Sequence, residues 1–90
     1  MRVALICKDK PGHLPVRVEN RSAHLAHIQT SGVVEMAGPF LDGEGQMCGS
    51  LVILEVASLA EAQAWADADP YAKAGLFASV EIQEWKKVVG

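Results

Sequence analysis

His24 and Asp69 are the two side chains whose types and surroundings best suit acid–base chemistry. His24 falls at the border of an apolar helical stripe, roughly 100° around the helix from Leu25. An imidazole at such a border can contact a ligand and exchange a proton with it near neutral pH. A hydrogen bond to a carboxylate such as that of Asp69 would orient the imidazole and make it a better base. Because Asp69 lies just past the end of the second long predicted helix, on the layer that also carries the helix of His24, a hydrogen bond between the two side chains is topologically possible.

Each member of this pair also has a purely structural interpretation. A single histidine in a helix is more often a packed structural residue than a functional one. Asp69 directly precedes Pro70, so it fits the N-cap of a short helix whose first residue is the proline. A metal site is not predicted, because His27 points to the opposite, solvent-exposed side of the helix and no third ligand is evident.

Further residues near the pair are candidates for binding a substrate oxygen. Arg21 lies one turn before His24 and offers positive charge to a carboxylate or phenolate, although a solvated helix arginine explains it equally well. Ser50 lies at the start of a predicted strand and can donate a hydrogen bond, or it simply ends the preceding loop. The backbone amides near Gly38 and Ser50 are predicted to hold a negative oxygen. These residues add a substrate-binding set to the dyad.

Four short strands are expected to support these residues. Residues 3–8 and 49–56 are apolar on both alternating sides, which is typical of central strands covered on both faces. Residues 33–38 and 79–85 carry charges or amides along one side, which suits the edges of a sheet. The sequence therefore predicts two central and two edge strands.

Two longer helices connect these strands in pairs. The first contains an apolar stripe and ends at Gly32, and the stripe residues are Leu14, Val18, Leu25 and Ile28. The second begins with a capping box, in which Ser58 is the N-cap and Glu61 the third helical residue. A short third helix is predicted to begin after Asp69 and to run through Tyr71 and Leu76. The predicted element order is thus β-α-β-β-α-β.

This order predicts an α+β, ferredoxin-like domain that spans residues 1–90 as a single unit. Right-handed crossovers with the apolar pair of strands in the middle give an antiparallel sheet of order 4-1-3-2, with both helices on one face. The other face has no element of its own to cover it. We therefore expect a homodimer that packs sheet against sheet, with higher oligomers left open.

Composition narrows the range of partners. The 90 residues carry a formal charge of −3 and lack a basic stripe, so nucleic acid is not expected as a partner. The apolar stretch at residues 3–7 is too short for a signal peptide or a membrane span, so a cytoplasmic protein without a membrane partner is expected. Cys7 and Cys48 lack metal or redox spacing and are expected to be reduced. No glycine-rich phosphate-binding motif is present, and no cofactor is predicted.

Several segments resemble the YCII-related (YciI-like) family. The most specific is residues 62–71, followed by residues 21–25 and, more weakly, by residues 37–39 and 49–53; their sequences are AQAWADADPY, RSAHL, AGP and GSLVI. The resemblance spans nearly the whole chain. It implies the dimeric α/β-barrel form of the ferredoxin-like fold and an active site in which the residues matching His24 and Asp69 form a dyad.

The resemblance says less about the reaction. A related group includes a dehydrochlorinase that acts on a chlorinated hydroxyhydroquinone, and muconolactone isomerases and cofactor-free monooxygenases share the wider architecture. Gly38 and Pro39, which follow the second predicted strand, join the expected substrate-binding set through this likeness. The glycine-rich loop at residues 41–49, which contains Cys48, is where this sequence departs from the family. It is either a flap over the pocket or, more simply, a hairpin loop.

Two functional hypotheses remain at this point. The first is a small cofactor-independent enzyme of the lyase or isomerase type, in which His24, held by Asp69, moves a proton on a small oxygenated cyclic or aromatic acid. The second is a non-catalytic dimeric module that binds a small anionic ligand or a protein partner through the same residues.

Overall fold

The computed structural model describes all residues from 1 to 90. Four strands and three helices alternate along the chain in the predicted order. They are β1 (Arg2–Asp9), α1 (Leu14–Ser31), β2 (Val34–Leu41), β3 (Met47–Glu55), α2 (Leu59–Ala68), α3 (Pro70–Lys73) and β4 (Phe77–Glu84). The predicted boundaries differ from these by a few residues at most strand ends, and α3 ends at Lys73, before Leu76.

The strands form one antiparallel sheet of order β2-β3-β1-β4, which confirms the predicted ferredoxin-like α+β topology. β1 and β3 are central because each carries apolar side chains on both faces. On the helix side, Val3 and Leu5 of β1 and Leu54 of β3 are almost fully buried. Trp65 of α2 packs on the same cluster and closes the main core.

The inward face of α1 differs from the predicted apolar stripe. Val18 is 60% exposed and Leu25 is 47% exposed, whereas the buried residues of α1 are Arg17 and His24. Together with Arg21 and Ile28, these two residues follow helical spacing and line one cavity. The stripe prediction was wrong for Val18 and Leu25, because the sheet and α3 offer polar partners that make it favourable to bury polar side chains here.

Helix capping explains where α2 and α3 begin. The Ser58 hydroxyl accepts a hydrogen bond from Glu61 N at 3.2 Å, as the capping box predicts. The Glu61 carboxylate accepts in return from Ala57 N rather than from Ser58 N, so it secures the residue before the cap. Asp69 accepts from Tyr71 N at 3.0 Å, which confirms it as the N-cap of α3.

The hairpin between β2 and β3 is tighter than the predicted loop at residues 41–49. Both strands extend into that segment, and the Asp42 carboxylate accepts from the backbone N–H groups of Glu44 and Gln46 to hold the turn. Gly49 is required by close approach to β1, because an added Cβ would lie 2.4 Å from Cys7 O. The simpler of the two loop interpretations, an ordinary hairpin, describes this turn.

The sheet face opposite the helices is apolar and open in the single chain. The cross-strand pairs and alternation of the strands place apolar side chains of β1, β2 and β3 on it. Four of them are at least partly exposed: Met36 at 52%, Leu51 at 37%, Phe40 at 36% and half-buried Ile6. We call these four residues the open-face cluster. None of the helices is both long enough and apolar enough to cross a membrane.

Candidate active site

The structure brings His24 and Asp69 together across 45 positions of sequence. His24 Nδ1 lies 2.8 Å from Asp69 Oδ1, and both side chains are buried. Because a carboxylate can only accept, Nδ1 carries a hydrogen and donates a hydrogen bond to Asp69. His24 Nε2 makes no hydrogen bond within the chain. His24 lines the cavity that also holds Arg21, Gly38, Pro39 and Ser50, which we call the principal cavity because it collects the predicted site residues. A neutral His24 therefore has its basic nitrogen available to a bound molecule.

Asp69 fixes the His24 imidazole but does not itself line the cavity. The same atom, Asp69 Oδ1, accepts from His24 Nδ1 and from Tyr71 N, so capping of α3 fixes the carboxylate that orients the imidazole. The structural and functional interpretations of Asp69 thus describe one arrangement. Pro70 is the first residue of α3, a position whose backbone N–H has no partner within a helix, so the missing N–H of proline is tolerated there.

Tyr71 forms a second support of the imidazole. Its ring stacks on that of His24, with the centroids 3.9 Å apart and the planes inclined by 16°. Burial raises the pKa of the Tyr71 phenol, more than the nearby charges of Arg17 and Arg21 lower it. Tyr71 therefore stays neutral near physiological pH. Tyr71 was not among the predicted site residues, although it directly follows the Asp-Pro cap.

Arg17 is the principal site residue that sequence reasoning missed. It is 2% exposed, and its Nε and Nη2 atoms each donate to an oxygen of Asp9 at 2.8 Å. Burial by itself would lower the pKa of Arg17, but the hydrogen bonds and charge of Asp9 outweigh it and raise that pKa. The guanidinium also lies over the Tyr71 ring, 4.7 Å from its centroid. The sequence signal that points to Arg17 is its spacing, because it lies one helical turn before Arg21 and two turns before His24.

Arg17 also determines how Ser50 can act. Arg17 Nη2 donates to Ser50 Oγ at 3.0 Å. Because the Ser50 oxygen accepts this charged hydrogen bond, its own O–H is available as a donor. Ser50 is 3% exposed and lines the cavity. Its hydroxyl is thus placed to donate to a ligand oxygen, and it lies within β3 rather than at the start of the strand.

The cavity lies between α1, the helical turn at α3 and the β2–β3 half of the sheet. Its volume is about 150 Å³, and a dry apolar cavity of roughly that size can hold a benzene ring. The sequence-predicted residues Arg21, Gly38, Pro39 and Ser50 all line it with His24. Gly38 and Pro39 lie inside β2, not after it, and proline is tolerated there because β2 is an edge strand.

Arg21 is the accessible positive charge of this cavity. It is exposed and forms no salt bridge within the chain, in contrast to the fully paired Arg17. An unpaired guanidinium can bind a carboxylate through two parallel hydrogen bonds, or donate to the single oxygen of a phenolate. Buried Arg17 organises the interior, and Arg21 remains available to an anionic group.

His27 does not point to solvent as predicted. Its Nε2 lies 3.1 Å from Trp65 O, and its ring packs against the Trp65 indole. The indole in turn donates to Ser31 Oγ at 2.9 Å. The prediction was wrong because α2 packs against this side of α1, so His27 joins the two helices. No three metal-ligating side chains gather at one place in the structure.

These features define a class of protein. It is a small ferredoxin-like α+β protein in which a helix of the first crossover and the cap of a later helix supply a buried His–Asp pair beside a ring-sized cavity. The YCII-related domain matches residues 1–86, and the chain belongs to that family.

Relatives extend the match over the whole chain. The chain is 41% identical to protein YciI of Escherichia coli O6:H1 over 98% of its own length and 99% of the relative's. An uncharacterized protein of Haemophilus influenzae is 34% identical with the same coverage.

A solved structure is similar in both fold and sequence. It is the 5-chloro-2-hydroxyhydroquinone dehydrochlorinase of Burkholderia phenoliruptrix AC1100 in complex with 2,5-dihydroxybenzoquinone. The TM-score is 0.89 and the identity 36%, over 96% of this chain and 94% of that one. That protein acts on a hydroxylated ring, which supports a small-molecule enzyme within this family.

Proposed function

We propose that this protein is a cofactor-independent enzyme that transfers a proton on a small oxygenated cyclic or aromatic acid, as a lyase or an isomerase. One observation carries the proposal: His24 Nδ1 is bound to Asp69 at 2.8 Å, while the Nε2 atom of the same ring has no partner in the chain and His24 lines a ring-sized cavity. General acid–base catalysis requires a base whose orientation is fixed by one hydrogen bond and whose second nitrogen is available to the substrate, and His24 has this arrangement.

The first step is removal of a proton by His24 Nε2 from a hydroxyl or an acidic C–H of the ring. Asp69 stabilises the imidazolium that forms, because its carboxylate accepts the Nδ1–H bond. The electron pair left on the substrate forms a new double bond. In a lyase, a leaving group departs with its bonding electrons; in an isomerase, the imidazolium returns the proton to another ring atom.

Negative charge that develops on the substrate oxygen needs donors. The Ser50 hydroxyl, whose oxygen accepts from buried Arg17, and the Arg21 guanidinium supply them from two sides of the cavity. The Ser50 hydroxyl is held by Arg17 before the reaction, so this donor needs little reorganisation. Proton transfer by His24 adds a separate factor of roughly 10²- to 10⁴-fold in rate.

The cavity supports a substrate with a single ring. About 150 Å³ between β2, β3 and α1 accommodates one six-membered ring with small substituents. The dehydrochlorinase with the similar fold binds 2,5-dihydroxybenzoquinone, a ring of that size with two hydroxyl groups. Hydroxylated benzoquinones, hydroxyhydroquinones and related ring lactones are therefore the substrates to examine first.

The test compares turnover of such compounds by the wild type and three variants. His24→Gln should lose at least two orders of magnitude in kcat, and Asp69→Asn should lose a comparable factor. His27→Gln is the matched control, because it makes the same substitution in a histidine outside the cavity, and it should retain wild-type kcat. Equal activity of His24→Gln and the wild type removes the dyad from the mechanism.

A second function, binding of a small anion without turnover, is favoured by the unpaired charge of Arg21 beside His24. The two functions differ in the protonation of His24. NMR of the His24 ring should show it protonated on binding of an aromatic carboxylate if the cavity is an anion site, whereas a general base stays largely neutral at working pH.

We also propose that two copies pair through the open-face cluster. Four apolar side chains on the central and β2 strands lack a covering layer in the single chain, and the face also carries Lys8 and Glu81, whose opposite charges a two-fold axis can bring together. Light scattering at micromolar concentration should give twice the monomer mass, and Leu51→Asp should give the monomer. Val18→Asp, which places the same charge on exposed α1, should leave the dimer intact.

A further inference from the structure

Met47 separates the candidate active site from a second, larger cavity. It is the first residue of β3, half-buried, and it is the one side chain that lines both spaces. The second cavity has a volume of about 260 Å³ and lies between the β1–α1 connection and the β2–β3 turn. Met47 therefore lies between the two spaces, beside the Arg17–Asp9 pair, of which Arg17 lines the first and Asp9 the second.

Met47 and the Arg17–Asp9 pair differ in rigidity. Arg17 and Asp9 are buried and joined by two charged hydrogen bonds of 2.8 Å, so they are fixed in place. Met47 is an unbranched side chain with three rotatable bonds and no polar partner. Any continuity between the two cavities must therefore depend on Met47.

The second cavity has a different chemistry from the first. Ten residues line it, of which three are hydrophobic, and Lys10, His13, Asp42 and Gln46 are among the others. The principal cavity has six hydrophobic residues among twelve. A ring fits the first space, and a polar arm attached to that ring fits the second.

We infer that Met47 is a specificity-determining residue, which limits the site to single rings without a long substituent. Shortening it connects the two cavities and admits a ring that carries a polar arm. The inference rests on the proposed function, because it assumes that the principal cavity binds the ring.

The experiment measures binding, so it does not depend on turnover. Three probes are used. The first is 2,5-dihydroxybenzoquinone, and the second is 3-(2,5-dihydroxyphenyl)propanamide, whose polar arm is neutral so that charge does not affect its binding. The third, 2,5-dihydroxytoluene, has the same ring as the second probe but no polar arm. Dissociation constants are measured by calorimetry for the wild type, Met47→Ala, Met47→Val and the volume-conserving control Met47→Leu. Two shortened variants are used so that poor folding of one does not decide the result.

The preference is the dissociation constant of 2,5-dihydroxytoluene divided by that of the propanamide. In Met47→Ala or Met47→Val this ratio should rise about tenfold. One methylene in an apolar pocket is worth ~10- to 200-fold in discrimination, and the expected change is the lower end of that range. Met47→Leu should keep the wild-type preference. In amide NMR spectra of the shortened variants, the armed probe alone should shift Lys10, Gly12 and His13. An unchanged preference, or the same shift of those amides in the wild type, overturns the role of Met47.

The outcomes separate this inference from the proposed function. If the Met47-dependent preference appears but no hydroxylated ring is turned over, the inference stands and the catalysis is removed. If rings are turned over through His24 and the preference is unchanged, the catalysis stands and the inference is removed. If none of the probes binds to any of the four proteins, both are overturned.

Discussion

The imidazole of His24 and the phenol ring of Tyr71 lie face to face, with centroids 3.9 Å apart and an interplanar angle of 16°. Asp69 fixes one nitrogen of the imidazole, and Tyr71 fixes the plane of the ring. Since the backbone N–H of Tyr71 also binds Asp69, the three residues position one another. In the proposed reaction, a ring held in this way is oriented for proton transfer before a substrate arrives.

Tyr71→Leu removes the flat surface against which His24 stacks, whereas Tyr71→Phe keeps it. We expect Tyr71→Leu to lower kcat by about tenfold or more because the imidazole loses its alignment, as small misplacements are costly in proton transfer. Tyr71→Phe should remain within a few-fold of the wild type. The measurement is steady-state kinetics with kcat and KM separated, and equal kcat of the two variants would count against a positioning role.

Asp69→Asn and Asp69→Ala separate the two roles of the cap. Asparagine caps a helix nearly as well as aspartate, so Asp69→Asn should keep the stability, whereas Asp69→Ala should cost about 1 kcal/mol of folding free energy. Both should lower kcat strongly, because neither side chain can stabilise the imidazolium. Urea denaturation and kinetics on the same samples provide the test. If Asp69→Asn retained full activity, capping alone would account for the residue.

Asp9→Asn should be strongly destabilising. It leaves the 2%-exposed guanidinium of Arg17 without its countercharge, and breaking a buried pair by removing one partner costs about 3 to 5 kcal/mol. Glu35→Gln is the control, because it breaks the exposed pair with Arg2, and pairs of that kind often contribute nothing measurable. Chemical denaturation of both variants decides the matter. Similar losses in the two would contradict the difference assigned to burial.

The two cysteines should differ sharply in reactivity. Burial raises the pKa of the Cys7 thiol from 9.0 to about 12, and Cys7 is 3% exposed, whereas Cys48 is exposed. A thiol reagent at pH 8 should therefore modify one thiol per native chain and two per unfolded chain. Cys48→Ser should abolish the native reaction, and Cys7→Ser should leave it unchanged.

The same shift makes the fold sensitive to alkali. Above pH 9.0 the unfolded chain loses the Cys7 proton, while the folded chain retains it up to about pH 12. The unfolded state then binds fewer protons, so the free energy of unfolding falls as pH rises through this window. Burial also raises the pKa of the Tyr71 phenol, so Tyr71 lowers the free energy of unfolding further once the pH exceeds the ordinary pKa of tyrosine. Cys7→Ala should flatten the slope between pH 9 and 10, as measured by denaturation at fixed pH values, and an unaltered slope would exclude Cys7 as its source.

Much of the fold could be predicted because its signals are local or depend on a simple alternation. Gly32 ends α1 with a φ of 68°, Ser58 and Asp69 cap α2 and α3, and the apolar alternation of β1 and β3 made them central. Each of these features needs only neighbouring residues or the preference of apolar side chains for the interior. The chain's likeness to a family then paired His24 with Asp69.

The rotation of α1 and the wall of the cavity were not predictable in this way. An apolar stripe on Val18 and Leu25 looked like the buried face, but Asp9, Ser50 and Asp69 bind the polar face and bury it instead. Burying a guanidinium and an imidazole is favourable only where partners from distant strands and helices satisfy their hydrogen bonds. The sequence by itself determined the elements, their order and the candidate pair, whereas only the tertiary structure decided which polar residues face the cavity and that Met47 lies between it and a second one.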